Sequence, residues 1–434
     1  MTKQGLISNG FIYFFSNIVN SAIPFLLLPI LTRILSPEGY GLVTMFTISV
    51  SVLSVFIGIS INGAISVHYF KLEKEELSKF ISSSLIFLLF SGAFFLILIT
   101  LLPDYVFNYI SVPKHWLLIA AITSIMGFII NINLVLYQVR CKAIYFGLFQ
   151  VLYTLFNSLS SLSILYFYNN SWEGRALGIF VSSAIFAAIS MFALFNDGYL
   201  TFKIRKKYIN NLIKFGVPLI PHALSALVLV MIDRVIISGL LGEYSVGIYT
   251  VAIQLSMVVA IMADAFVKAY GPWVYDKLSK VNEHNKMVVT GATYIVCIAF
   301  LTIIFPINWV IGNALNFLVG EEYYSSAKLI IWFLIGNAFS GMYFSIAGFY
   351  FFSGKTGLLS VVTVLSGAFS ISLTYLLVDY YGLLGGAVSF ALSNALKFML
   401  ALVLSHQVIH LPWFKPIVST RFFLREIRYE RIKN

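Results

Sequence analysis

The sequence predicts an all-α membrane protein of about twelve transmembrane helices, folded as two six-helix bundles that repeat in parallel. Three observations carry this. First, 60% of the residues are hydrophobic and 10% charged, with a mean hydropathy of +0.92. A soluble domain carries about 25% charged residues, so the solvent for this much apolar surface is lipid. Second, the apolar residues fall in continuous runs, each long enough for the roughly 20 residues a helix needs to cross a bilayer. Spanning β-strands would instead alternate over about 10 residues. Third, short patterns recur in the second half at a nearly constant distance from the first.

The first run, 9–35, follows a lone Lys3, contains Pro24 and Pro29, and closes on Arg33 and the turn Ser36-Pro37-Glu38-Gly39. No small-residue cleavage site follows it, so it reads as a membrane helix and not a cleaved signal peptide. Further runs cover 40–66, 80–102, 115–137, 147–168 and 175–195. The longest polar stretch, Asn196 to Asn211, then separates an N-terminal bundle at 1–200 from a C-terminal bundle at 201–434. The second bundle opens with 213–240, entered through Pro218 and Pro221 and carrying Asp233-Arg234 before a Gly242 turn. Runs at 245–270, 288–312, 326–352, 357–378 and 385–408 follow, and a basic tail closes the chain.

Basic residues orient these helices. With the N-terminus in the cytoplasm, twenty-one Lys and Arg lie in cytoplasmic segments and four (Arg33, Lys114, Arg175 and Lys328) on the other side. This split satisfies the positive-inside rule and places both termini in the cytoplasm. It also accounts for the net charge of +11 without nucleic acid. The basic tail after Leu411 reads either as an amphipathic helix on the anionic leaflet or as a topology anchor. Cys141 lies in a basic loop and Cys297 in an apolar run, which argues against a disulfide, and neither has metal-ligand spacing with a His.

The repeat is visible in particular residues. Gly41-Leu42 recurs as Gly247-Ile248, 206 positions on, Lys142 as Lys355, and Gly174, Ala176 and Ser182 as Gly385, Ala387 and Ser393. Pro24 and Pro29 are answered by Pro218 and Pro221, and Arg33 by Arg234. Six helices per half start both halves on the same side, so the repeat is parallel. Such a duplication predicts a central cavity and alternating access.

Thr32-Arg33-Ile34-Leu35-Ser36-Pro37-Glu38-Gly39-Tyr40-Gly41-Leu42 resembles the polysaccharide-export branch of the multidrug/oligosaccharidyl-lipid/polysaccharide flippase superfamily, and most of all the Wzx-type O-antigen flippases. Asp233-Arg234-Val235-Ile236 with Leu241-Gly242-Glu243-Tyr244-Ser245-Val246-Gly247-Ile248-Tyr249 is similar to that family's second-half signature. Ser36 departs from the pattern, where Gly more often precedes the Pro, and is expected to alter turn geometry slightly. The resemblance implies two bundles in a V shape in the bacterial inner membrane. It also implies translocation of an undecaprenyl-diphosphate-linked oligosaccharide to the periplasmic leaflet and coupling to an H⁺ or Na⁺ gradient, with no bound cofactor. Partners of two kinds come with it, a polysaccharide polymerase and a chain-length regulator.

Ionisable residues inside a membrane are functional candidates by default. Arg33, Arg234, Lys397 and Lys268 are the candidate cavity cations for a diphosphate or acidic sugars, since guanidinium forks grip phosphate bidentately; for Arg33 the competing reading is snorkelling to the interface. Asp233, Asp264 and His222 are the ion-coupling candidates. Against them stand a structural ion pair for Asp233, an i,i+4 self-neutralised pair for Asp264 with Lys268, and a satisfied interior histidine. Pro24, Pro29, Pro218 and Pro221 are hinge candidates, against simple accommodation in packed bundles. Ser353-Gly354-Lys355-Thr356 ends like a phosphate-binding loop, but Phe349 stands where the motif needs Gly. Lys71 to Glu76 reads as a solvated charge run. A drug/cation antiporter of the same superfamily would want an acidic cavity, a lipid II flippase usually has extra helices, and an O-antigen polymerase or ligase needs a large outer loop. The expectation is a transporter and not an enzyme.

Overall fold

The computed structural model describes residues 3–103, 111–168, 170–279 and 282–433. Among them are thirteen α-helices, of which ten are long and apolar enough to cross a membrane. Two of the ten are double. α9 (Ile220–Ser279) is broken at Gly242 (φ 76°, ψ 177°) and α12 (Thr356–Ser405) at Gly382 (φ 59°, ψ −143°), conformations that cost glycine little. At Gly382 the chain doubles back. Thr374 and Ser389 share a 2.8 Å hydroxyl contact, whereas a straight helix would hold them roughly 22 Å apart at about 1.5 Å per residue. With each broken helix counted as two, twelve spans result, as the sequence predicts.

The chain divides into two compact units, Met1–Gly247 and Ile248–Asn434. In the first, α1 (Lys3–Ile34), α2 (Pro37–Gly58), α5 (Lys114–Val139), α6 (Ala143–Phe167) and α7 (Trp172–Asn196) pack together. Ile130, Phe186 and Ala187 form a buried centre, with Phe149 and Tyr153 each 5.3 Å from the Phe186 ring. Ser36 caps α2, its hydroxyl accepting from Gly39 N at 3.2 Å, with Pro37 at the first helical position and Glu38 in the first turn. Each choice suits a helix start. The serine that departs from the family pattern therefore supplies a cap that glycine lacks.

The second predicted span, 40–66, is two helices. α2 stops at Gly58, Ile59 (φ 34°) and Ser60 (φ 59°) take left-handed backbone, and α3 (Ile61–Tyr69) continues. A buried β-branched residue at positive φ is strained. It is held from both sides: a Cβ on Gly58 would strike the Phe128 ring at 1.9 Å, and one on Gly216 would meet Ile59 O at 1.9 Å.

The polar stretch between the expected bundles is structured. Thr201 N and Arg205 N donate to Ser82 and Ser83 of α4 (Lys74–Leu101) at 2.9 and 3.1 Å. α8 (Lys206–Gly216) buries Tyr208 and Leu212 and leaves Lys206, Lys207 and Lys214 exposed. This corrects the reading of Lys71 to Glu76 as merely solvated. Glu76 takes contacts from Lys79 (2.8 Å), Arg205 (3.1 Å) and the Tyr208 hydroxyl, and Lys79 is buried. The outward face of α4 carries exposed Leu89, Phe90, Phe94 and Ile97, apolar surface suited to lipid.

In the second unit, α11 (Ala327–Ser353) lies against α12, with Gly336 admitting the Phe390 ring and Tyr350 donating to Ala401 O at 2.5 Å. α10 (Glu283–Leu318) packs on α11 and on α13 (Pro416–Lys433). The basic tail is thus a docked helix: Gly291 lets the Ser419 backbone approach, and Lys277 and His284 reach Glu426 at 2.7 and 3.1 Å.

Candidate functional site

α7 begins with small residues on one face. Gly178 approaches α6 so closely that a Cβ there would lie 2.4 Å from Ser161 Cα. Arg175, three residues earlier, shares that face and is drawn against α6. Its guanidinium donates to Asn157 Oδ1 at 2.9 Å, to Asn157 O at 3.3 Å and to the Ser161 hydroxyl. The polar contacts continue inward. Asn157 Nδ2 donates to Ser182 Oγ at 2.8 Å, Tyr153 and Ser183 share a 3.0 Å contact, and Thr154 donates to Asn20 Oδ1 of α1.

Among the described residues no carboxylate pairs with Arg175. The titratable groups near it are the phenols Tyr40 and Tyr153. A guanidinium one turn into a candidate span, held by neutral acceptors, brings a positive charge into a packed helix pair. From sequence alone Arg175 reads as an outer-side topology charge. The signal for more was present: Gly174, Ala176 and Gly178 flank it, and Asn157, Ser158, Ser160 and Ser161 interrupt an apolar run.

The sequence-derived candidates distribute unevenly. Arg33 is exposed, donating to Pro29 O at 2.6 Å, and Arg234 has the same tether, to Val230 O at 2.6 Å. Arg234 also pairs with its neighbour Asp233 at 3.2 Å, although adjacent helix positions need not meet. In the second unit Asp264 and Lys268 pair at 2.7 Å with both side chains well exposed. Lys397 stands over the Tyr343 ring at 4.7 Å and beside Phe344 at 5.8 Å, with no carboxylate partner among the described residues. An ammonium over aromatic faces is attracted by the ring quadrupole.

His222 is exposed in the first turn of α9. Pro218 and Pro221 sit at that helix entry, Pro218 in a 3-10 turn, whereas Pro24 and Pro29 lie inside the continuous α1. The two proline pairs are therefore not structural equivalents.

Contacts at the repeat correct the pairing further. A Cβ on Gly41 would lie 2.0 Å from Glu243 O, and one on Gly247 would lie 1.9 Å from Pro37 O. These contacts are reciprocal, and both keep the 206-residue register. That register sets Arg33 against Gly239 and not against Arg234. Among the described residues no group of three His, Cys, Asp or Glu side chains gathers as a metal site, and both cysteines are free.

Comparison with known proteins places this architecture. The chain is 27% identical over 400 residues to "Lsg locus putative protein 1" of Haemophilus influenzae, covering 89% of this chain and 96% of that one. It is 24% identical over 411 residues to a "Putative O-antigen transporter" of Shigella flexneri, covering 88% and 94%. A solved structure of the lipid II flippase MurJ in an inward closed conformation superposes with a TM-score of 0.72 at 15% identity, over 99% of this chain and all of that one, which shows the fold. Residues 6–278 match the family described as "Polysaccharide biosynthesis protein". The chain, as the two turn motifs lead one to expect, belongs to the polysaccharide biosynthesis protein family.

Proposed function

We propose that the chain translocates a lipid-linked oligosaccharide, an undecaprenyl-diphosphate-linked O-antigen-type repeat unit, from the cytoplasmic to the periplasmic leaflet of the bacterial inner membrane. It acts by alternating access driven by an H⁺ or Na⁺ gradient. The observation that carries this is Arg175, a guanidinium in the first turn of a candidate span whose partners among the described residues are all neutral. Such a charge suits an anionic group, and a planar fork suits a phosphate oxygen pair. Lys397 over Tyr343 offers a second unpaired cation in the other unit. The family and the relative named as an O-antigen transporter support the same cargo.

Two other readings lose ground on specific contacts. A cation antiporter needs an acidic site for its cargo, whereas the two cations without a carboxylate partner among the described residues, Arg175 and Lys397, suit an anionic one. A polymerase or ligase needs room for a catalytic loop. Among the described residues assigned to the outside, the connections at 35–36, Gly242, 319–326 and Gly382 are short.

Arg175→Met should abolish surface polysaccharide and accumulate lipid-linked repeat units, and Arg175→Lys should retain part of the activity as a charge without the fork. Quantifying lipid-linked intermediates by mass spectrometry in membranes with normal levels of the variants tests this. Full export by Arg175→Met would overturn the proposal.

A further inference from the structure

We propose that a pocket of about 350 Å³ between the α1–α2 turn and the α6–α7 turn of the first unit binds one pyranose ring of the oligosaccharide, an inference that rests on the transport reading above. Ser36, Glu38 and Gly39 line one side and Asn170, Ser171 and Trp172 the other. A sugar presents hydroxyls around its rim and C–H groups on its faces. It is met by a few placed polar groups in a concave site with an aromatic surface. This pocket has that set: a carboxylate that accepts, an amide that accepts and donates, hydroxyls that do both, and an indole.

Two details point to a ligand. Among the described residues the buried Ser171 hydroxyl has no hydrogen-bond partner. Such a group is normally satisfied by a partner, and Ser171 is one of the residues that line the pocket. The Trp172 ring is held in place by Trp116, centroid to centroid at 5.0 Å, and Trp116 is in turn edge-on to Phe46 at 5.9 Å. A fixed indole is a preformed platform and loses little freedom on binding. The lining also decides between the two ends of the cargo. No basic residue lines the pocket, and Glu38 would repel a phosphate. The site therefore suits the sugar and not the diphosphate. The turn follows Arg33, the last-turn residue of α1, and lies on the side that the charge count assigns to the outside, where a translocated head group is released.

Gly39 supplies a clean test. A Cβ there would stand 3.7 Å from Trp172 Cβ and 3.5 Å from Ser36 Oγ, ordinary contact, so a larger side chain would extend into the pocket without removing any polar group. The purified full chain in lipid nanodiscs is titrated with methyl glycosides of glucose, galactose, rhamnose and N-acetylglucosamine, and saturation-transfer NMR reads binding. At least one glycoside should take saturation from the wild-type chain, and the signal should fall at least fivefold in Gly39→Leu, Glu38→Gln and Trp172→Ala, with folding checked by thermal melting. If Trp172→Ala fails to fold, the other two variants decide. No transfer to any glycoside, or an unchanged signal in Gly39→Leu, overturns the pocket. Gene deletion separates the two claims. If deletion leaves surface polysaccharide intact, the transport reading falls; if deletion abolishes it while Gly39→Leu binds as wild type does, only the pocket falls.

Discussion

Gly41 and Gly247 are positions where the chain tolerates no side chain. Each would put a methyl group about 2 Å from a backbone carbonyl, and forcing atoms into a filled contact costs about 1–3 kcal/mol. Gly41→Ala and Gly247→Ala should each lower the thermal unfolding temperature of the purified protein, whereas Gly239→Ala, with nothing within 4 Å, should not. Equal melting of all three variants would count against the contact. Single residues were unevenly legible in the sequence. The paired glycines were found because a shared pattern flags them. Arg175 was missed because its importance lies in what surrounds it. A side chain one turn into a span looks like an interfacial charge until Gly178 brings α6 within reach. Conversely, Asp233 and Arg234 stood out as two separate candidates and turned out to neutralise each other, since side-chain flexibility brings neighbours together that helix geometry points apart.

At the level of elements, α13 shows how a surface helix is fixed by few contacts. The Lys277 ammonium and the His284 ring hold the Glu426 carboxyl below its ordinary range. A carboxylate depressed by folding contributes its full stability above its unfolded value, about 4.3, and loses it as pH falls through the lower folded value. Docking of α13 should therefore hold at neutral pH and weaken only under acid. Glu426→Gln should loosen it already at pH 7, by about 1 kcal/mol for a partly exposed charge-assisted pair. Limited proteolysis of the C-terminal segment across pH reads this; identical cleavage of wild type and Glu426→Gln at pH 7 would refute it. Helix number was legible because length and apolarity decide it. The break at Gly242 was marked by its turn residues, and the one at Gly382 by a gap between two runs. The break at Ile59 and Ser60 was invisible, since neither residue favours left-handed backbone and only packing against Phe128 and Gly216 imposes it.

For the molecule as a whole, orientation is the property that composition states most directly. The native Cys141 is exposed in the connection between α5 and α6, which the basic-residue count places in the cytoplasm. A membrane-impermeant maleimide should leave it unmodified in intact spheroplasts and label it after permeabilisation; labelling of intact spheroplasts would invert the topology. Such asymmetry comes from counting charges and needs no contacts, which is why it can be read before folding, while the polar interior around Arg175 cannot. The reciprocal glycine contact has a consequence for how this chain can change over time. Where two side chains meet, a larger one on one partner can be offset by a smaller one on the other. Here each glycine meets main chain, and a peptide carbonyl has no smaller alternative. Gly216, Gly291 and Gly385 are closed by main chain in the same way, but only Gly41 and Gly247 of these answer each other in the repeat. The repeated pattern therefore sits at places where no second mutation can compensate the first.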